Sequence, residues 1–284
     1  MPTAEQLTAP DANHGEGPVW SAGWRGLRWV DMHAGDVLHL EDETGVVDRW
    51  HVGSVAAALR PRSGGGAVIA TERNFVLADR VGGEVRSVAT AFTDPGIRFN
   101  DGACDPAGNF LCGTMAYDEG TGRGTLYRLN VDETVDTVFD GVTISNGLAW
   151  TADAGRAFYV DTPTGQIDVF DSDATGRLTD RRPFAVIEES AGFPDGLTVD
   201  AEGGIWVALY DGRAVRHYDS SGQLADVIDI AAQNVTACTF GGPDLTELFI
   251  TTSRQGGDDE HPGAGAVFRY ATGVAGLPVQ EFGG

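Results

Sequence analysis

Glu16, Asn146 and Asp195 are the residues of this chain whose types could do chemistry together. Each lies one or two residues from a glycine and directly ahead of a short apolar run. Two carboxylates and an amide oxygen brought to one point repel, or stay unsatisfied, unless a cation sits between them. An all-oxygen donor set without Cys or His suits a hard divalent ion, Ca²⁺, Mg²⁺ or Mn²⁺, and ligand softness makes Zn²⁺ less expected. Taken singly, Asp or Asn before Gly is an ordinary turn residue. These three differ in recurring at one phase of a longer pattern, which matters if the fold carries equal phases to one place.

The elements able to do that come from an internal repeat. Asn100-Asp101-Gly102-Ala103-Cys104 is followed by Phe110-Leu111-Cys112-Gly113, Ser145-Asn146-Gly147-Leu148-Ala149-Trp150 by Ala157-Phe158-Tyr159-Val160, and Pro194-Asp195-Gly196-Leu197-Thr198-Val199 by Ile205-Trp206-Val207-Ala208. Each copy has a polar residue near a glycine, a short apolar strand, a turn carrying Asp and Gly, and a second apolar strand. Weaker copies begin at Glu16-Gly17-Pro18, Val55-Ala56-Ala57 and Thr236-Ala237-Cys238. The anchors near 16, 55, 101, 146, 195 and 237 are 39 to 49 residues apart, the size of a propeller blade. Third strands are expected at 124–129, 166–171 and 214–219, and fourth strands at 135–139 and 224–230. The reading is an all-β protein, a six-bladed β-propeller formed by residues 1–284 as one domain, with 265–270 helping to close the ring. A parallel β-helix needs a shorter period. In a propeller the innermost strands meet at a central channel, so a sequence period becomes a site.

Composition bounds the rest. Hydrophobic residues make up 42% of the 284 and charged ones 21%, which excludes disorder as the main state. Forty glycines and twelve prolines mean many tight turns between short elements. With 42 acidic groups against 19 basic ones, the net charge of −23 would repel a phosphate backbone, so nucleic acid and anionic membranes are poor partners. The chain has no lysine, a pattern of GC-rich genomes or salt-adapted surfaces. No stretch of about eighteen apolar residues exists, and the first fourteen residues are polar without a basic start. The expectation is a cytoplasmic protein, monomeric or a small homo-oligomer. Cys104, Cys112 and Cys238 lack C-x-x-C spacing and read as buried, reduced core residues. The histidines share no phase, with His14 bracing the Glu16 turn, and Asp258-Asp259-Glu260 reads as a solvated loop.

Four runs resemble the SMP-30/gluconolactonase/regucalcin family, in order and spacing, over nearly the whole chain. They are His14-Gly15-Glu16-Gly17-Pro18-Val19-Trp20, Arg98-Phe99-Asn100-Asp101-Gly102 with Gly113-Thr114-Met115, Ile144-Ser145-Asn146-Gly147-Leu148, and Phe193-Pro194-Asp195-Gly196-Leu197. The resemblance implies a six-bladed propeller and a metal-dependent sugar lactonase. Its small-molecule substrate would be an aldonolactone of the glucono, xylono, arabino or galactono type, met in oxidative sugar catabolism. It assigns Glu16, Asn146 and Asp195 to one divalent metal ion (Ca, Mn, Mg, Zn or Fe(II)), and Asp195 also to the general base. Arg98 and Asn100 match substrate-contacting positions. A further substrate carboxylate falls on Asp118, in a register that a slip of one residue moves to Glu119. The residue types suit the reaction: a lactone hydrolyses through an oxyanion, which a divalent ion and an arginine stabilise while a carboxylate takes the proton of water. Arg98 could instead pair with Asp94 or Asp101, and Tyr117 could line the cleft. The alternatives are a promiscuous esterase or organophosphate hydrolase on the same metal site, and a non-catalytic metal-binding propeller.

Overall fold

The computed structural model describes residues 2–41, 45–256 and 262–284; Asp258-Asp259-Glu260 lies outside them. Six four-stranded antiparallel sheets surround one axis as a β-propeller. From the axis outward, blade 1 is Gly15–Ser21, Gly26–Asp31, Asp36–Leu40 and Val47–His51, and blade 2 is Ala58–Pro61, Ala67–Ala70, Asn74–Ala78 and Val85–Thr90. Blade 3 is Ile97–Cys104, Phe110–Ala116, Gly124–Leu129 and Val135–Val142, and blade 4 is Ser145–Trp150, Arg156–Asp161, Gln166–Asp171 and Thr179–Val186. Blade 5 is Phe193–Val199, Ile205–Tyr210, Ala214–Tyr218 and Leu224–Asp229. Innermost strands pack against one another around a closed circuit, blade 6 against blade 1.

Burial explains why the strands read as they do. The two inner strands of a blade lie between neighbouring blades and are buried on both faces, as in the run Phe110–Ala116. They are therefore apolar without alternation. Outermost strands face water on one side, and Val135–Val142 and Thr179–Val186 expose half or more of their residues. That dilution makes fourth strands faint in the sequence, while the third strands at 124–129 and 166–171 fall where the pattern puts them.

Blade 6 departs from the expectation. Its chain-consecutive strands are Asn234–Gly241, Glu247–Ser253 and Val267–Ala271, and the fourth comes from the other end of the chain. Glu5–Gln6 pairs with the third, Glu5 opposite Arg269 and Gln6 opposite Phe268. The ring is thus clasped by an N-terminal strand of two exposed residues, too short and too polar to carry a periodic signal. Residues 265–270 are the inner side of that clasp.

The inner strands run from one end of the axis to the other. Glu16, Asn100, Asn146 and Asp195 stand at their starts, around a large cavity, while Val19, Cys104, Leu148, Leu197 and Cys238 follow them, around a small chamber of about 100 Å³. The closing segment of the chain lies across this second end. Leu277–Gln280 wall the chamber, Phe282 is fully buried, and Phe282 N–H donates to Pro61 O. The three cysteines are buried and unbridged, and burial pushes their thiols up, away from reactivity. No helix among the described residues is long and apolar enough to cross a membrane.

Candidate active site

The inner strands of blades 1, 3, 4 and 5 share one irregularity. Their pairing slips between Glu16 and Val19, Phe99 and Gly102, Ser145 and Leu148, and Pro194 and Leu197. A bulge leaves residues unpaired and bends the strand, which re-aims their side chains. Asn100, Asn146 and Asp195 stand inside these slips and Glu16 at the edge of one. They are strand residues, so the ordinary-turn reading of Asn-Gly and Asp-Gly does not hold.

The glycines have a packing reason instead. A Cβ on Gly147 would lie 2.8 Å from Asp195 O and 2.6 Å from Leu197 Cγ, and one on Gly196 would lie 2.4 Å from Ala237 Cβ. The next blade's inner strand passes through the space a side chain would need. Two aspartates fix the approach to the bulges. Asp31 accepts hydrogen bonds from Asn13 N and His14 N, and Asp161 accepts them from Thr143 N and Ile144 N.

Glu16, Arg98, Asn100, Asn146 and Asp195 converge on one cavity of about 750 Å³. All are buried. Asn100 Nδ2 donates to Asn146 Oδ1 (3.1 Å) and Ser145 O (2.9 Å), and Asn146 Nδ2 donates to Thr162 Oγ1 (2.7 Å). Both amide oxygens are thereby oriented. Arg98 Nη1 donates to Asn100 Oδ1 (2.6 Å) and Phe99 O (3.0 Å), and its guanidinium lies 6.0 Å from the centre of the Tyr117 ring. Arg98 therefore pairs with neither Asp94 nor Asp101. Asp94 approaches Arg123 instead, at 3.7 Å.

The acids are poised against one another. Burial, then repulsion from Asp101, raises the proton affinity of the Glu16 carboxyl, and burial, then Glu16 and Asp101, lifts Asp195 well above the usual carboxylate range. Glu16 Oε2 accepts from Gly17 N at 2.8 Å, whereas Asp195 Oδ1 is buried with no hydrogen-bond partner. An orphaned buried carboxylate oxygen beside a second acid and an oriented amide oxygen is a donor set for a hard cation. Among the described residues no three His, Cys, Asp or Glu side chains cluster at ligating distance.

Asp118 and Glu119 separate. Asp118 is exposed and holds Arg123 through both oxygens at 2.9 Å, whereas Glu119 lines the cavity from a left-handed turn at φ 55°. The carboxylate facing the site is Glu119, one residue on from the expected Asp118, because that turn reverses which side chain points inward. Two further features shape the site. His14 stacks on His33 at 5.0 Å and hydrogen-bonds Ser253 Oγ through Nδ1 at 2.7 Å; burial, then His33, takes its pKa down to about 3, so the ring is neutral. Tyr210 and Phe193 form the wall beside Asp195.

Known proteins resemble this chain in sequence and in fold. The SMP-30/Gluconolactonase/LRE-like region matches residues 14–254. The pentonolactonase XacC of Haloferax volcanii is 38% identical over 285 residues, covering 97% of each chain, and the regucalcin of Danio rerio is 35% identical over 279 residues, covering 95% of each. The crystal structure of a calcium-binding protein, regucalcin, from Agrobacterium tumefaciens superposes with a TM-score of 0.92 at 26% identity, over 98% of this chain and 97% of that one. The order and spacing of the four bulges, the shared ring and these matches have one meaning: the chain belongs to the SMP-30/gluconolactonase/LRE-like family.

Proposed function

We propose that this protein hydrolyses a sugar lactone to the aldonic acid, with one divalent cation held by Glu16, Asn146 and Asp195. The observation that carries the reading is the orphaned Asp195 Oδ1, buried beside Glu16 at the floor of an open cavity whose wall holds Arg98 and Asn100. A purely structural ion would not need a guanidinium and a carboxylate, Glu119, facing the same space. A relative 38% identical is named a pentonolactonase, which supports the substrate class.

When bound, the cation supplies positive charge that polarises the lactone carbonyl. The chain's residues do the remainder. Arg98, fixed by Asn100 and Phe99 O, keeps donors for ring hydroxyls or the carbonyl oxygen, and its charge offsets the acids around it. A carboxylate oxygen of Asp195 takes the proton of the attacking water. Glu119 accepts from sugar hydroxyls across the cavity. The setting proposed is cytoplasmic sugar oxidation, downstream of a dehydrogenation that makes the lactone.

Proton release from a panel of pentono- and hexonolactones tests this, with chelator-stripped protein before and after addition of Ca²⁺, Mn²⁺, Mg²⁺, Zn²⁺ or Fe²⁺ and spontaneous hydrolysis as background. Cation-restored acceleration is the expected result and ranks sugars and ions together. Acceleration confined to aryl esters or phosphotriesters would favour a general esterase. None with any substrate would leave a cation-binding propeller.

A further inference from the structure

A second ring of side chains surrounds the cavity. The residues preceding Glu16, Asn100, Asn146, Asp195 and Thr236 pair across the blade with Asp31, Thr114, Asp161, Leu209 and Thr252. One step further along the chain stand Met32, Met115, Thr162, Tyr210 and Ser253. Three of these support site residues: Met32 Sδ lies 3.1 Å from Arg98 Nη1, Thr162 Oγ1 accepts from Asn146, and Ser253 Oγ bonds His14. Tyr210 occupies the equivalent place in blade 5, beside Asp195, and no described residue hydrogen-bonds its hydroxyl.

That hydroxyl stands out among the polar groups of the wall. Asn100, Asn146 and Thr162 already donate within the protein, Asn234 Nδ2 donates to Gln255 O, and Gln233 Nε2 donates to Asp211. The Tyr210 phenol faces the cavity without such a commitment. Lactone hydrolysis needs a donor there, because breaking the ring expels an alkoxide. Resting on the lactonase reading, we propose that the Tyr210 hydroxyl is a catalytic donor to the ring oxygen, the leaving atom of the lactone.

The protons balance. Water attacks the carbonyl carbon and yields a proton to Asp195. The bond from that carbon to the ring oxygen then breaks, the ring oxygen takes the phenolic proton, and Asp195 returns a proton to Tyr210. The outcome is water added across the acyl–oxygen bond, with both side chains restored. A phenol ordinarily titrates near about 10, so it enters each cycle protonated at neutral pH.

The test compares leaving groups. An aldonolactone expels an alkoxide, whereas dihydrocoumarin, an aryl lactone, expels a stabilised phenolate that needs little help. Tyr210→Phe is expected to lower kcat on the aldonolactone about 100-fold while leaving dihydrocoumarin within about twofold, since acid–base assistance is worth roughly 10²–10⁴ where it is needed. Tyr210→His, which keeps a donor, is expected to retain more of the aldonolactone rate than Phe, with both variants checked for a wild-type melting temperature. Equal losses on the two substrates, or none on either, would overturn the assignment and leave the lactonase reading standing. Wild-type protein inactive on both would overturn the two together.

Discussion

Blades 2 and 5 share a four-strand plan and use their inner strands in opposite ways. In blade 2 the ladder from Ala58–Ala70 to Pro61–Ala67 runs without a slip, and Ala58, Leu59, Ala67, Val68, Ile69 and Ala70 are fully buried. They belong to an apolar cluster that reaches into blades 1 and 3. In blade 5 the ladder breaks at Asp195-Gly196 and leaves a carboxylate oxygen unpartnered. An unbroken strand maximises burial and backbone pairing, whereas a bulged one gives up pairing to aim a polar side chain. One repeated design thus serves packing alone in blade 2, and packing together with an aimed carboxylate in blade 5.

The sharpest way to probe that division is Asp195→Asn. Activity on an aldonolactone should fall by about 10³-fold, within the range for loss of a general base. At a pH high enough to ionise the buried Asp195 carboxyl, the same change should stabilise chelator-stripped protein by about 1–3 kcal/mol, because an unsatisfied buried charge is removed; a lower melting temperature there would show that the carboxylate itself contributes to packing. Leu59→Ala in blade 2 should cost about 3 kcal/mol in denaturant unfolding through the cavity it opens, with kcat/KM per folded molecule unchanged.

A pH series on chelator-stripped protein reads the acids directly. Glu16 is raised from 4.5 to about 8 in the folded chain and Asp195 shifts the same way, so the folded state holds more protons than the unfolded one across that range. Stability should fall as pH rises from about 4.5 to about 8, and saturating Ca²⁺ should flatten the slope. The smallest contrast lies in one loop. Glu119→Gln should raise KM about tenfold, the worth of one hydrogen bond to a charged group, while Asp118→Asn should stay within about 0.5 kcal/mol of wild type in both kinetics and stability.

The parts legible in the sequence are those where physical need recurs with a period. Inner strands must be apolar on both faces, turns between them need Asp and Gly, and three bulges that must aim oxygen at the axis placed Glu16, Asn146 and Asp195 in phase. Blade 2 shows the limit of that signal: its repeat anchors at Val55, but Val55-Ala56-Ala57 are buried ahead of the inner-strand ladder, which starts at Ala58. The Asp118–Glu119 slip has the same origin, since no inter-strand pairing fixes register in that turn. Tyr210 was illegible because its ring of Met32, Met115, Thr162 and Ser253 shares a position and no chemical type. The clasp at Glu5–Gln6 rests on backbone pairing by exposed residues, which composition does not record.

The segment that lies across the second end of the axis, with Leu277–Gln280 against the small chamber and Phe282 buried, covers the end of the ring away from the active cavity. On the lactonase proposal, a neutral lactone enters by the mouth of the large cavity, and the anion made from it leaves past the same acidic wall. On that proposal the acids that would hold a cation also repel the aldonate, so charge repulsion would help product release.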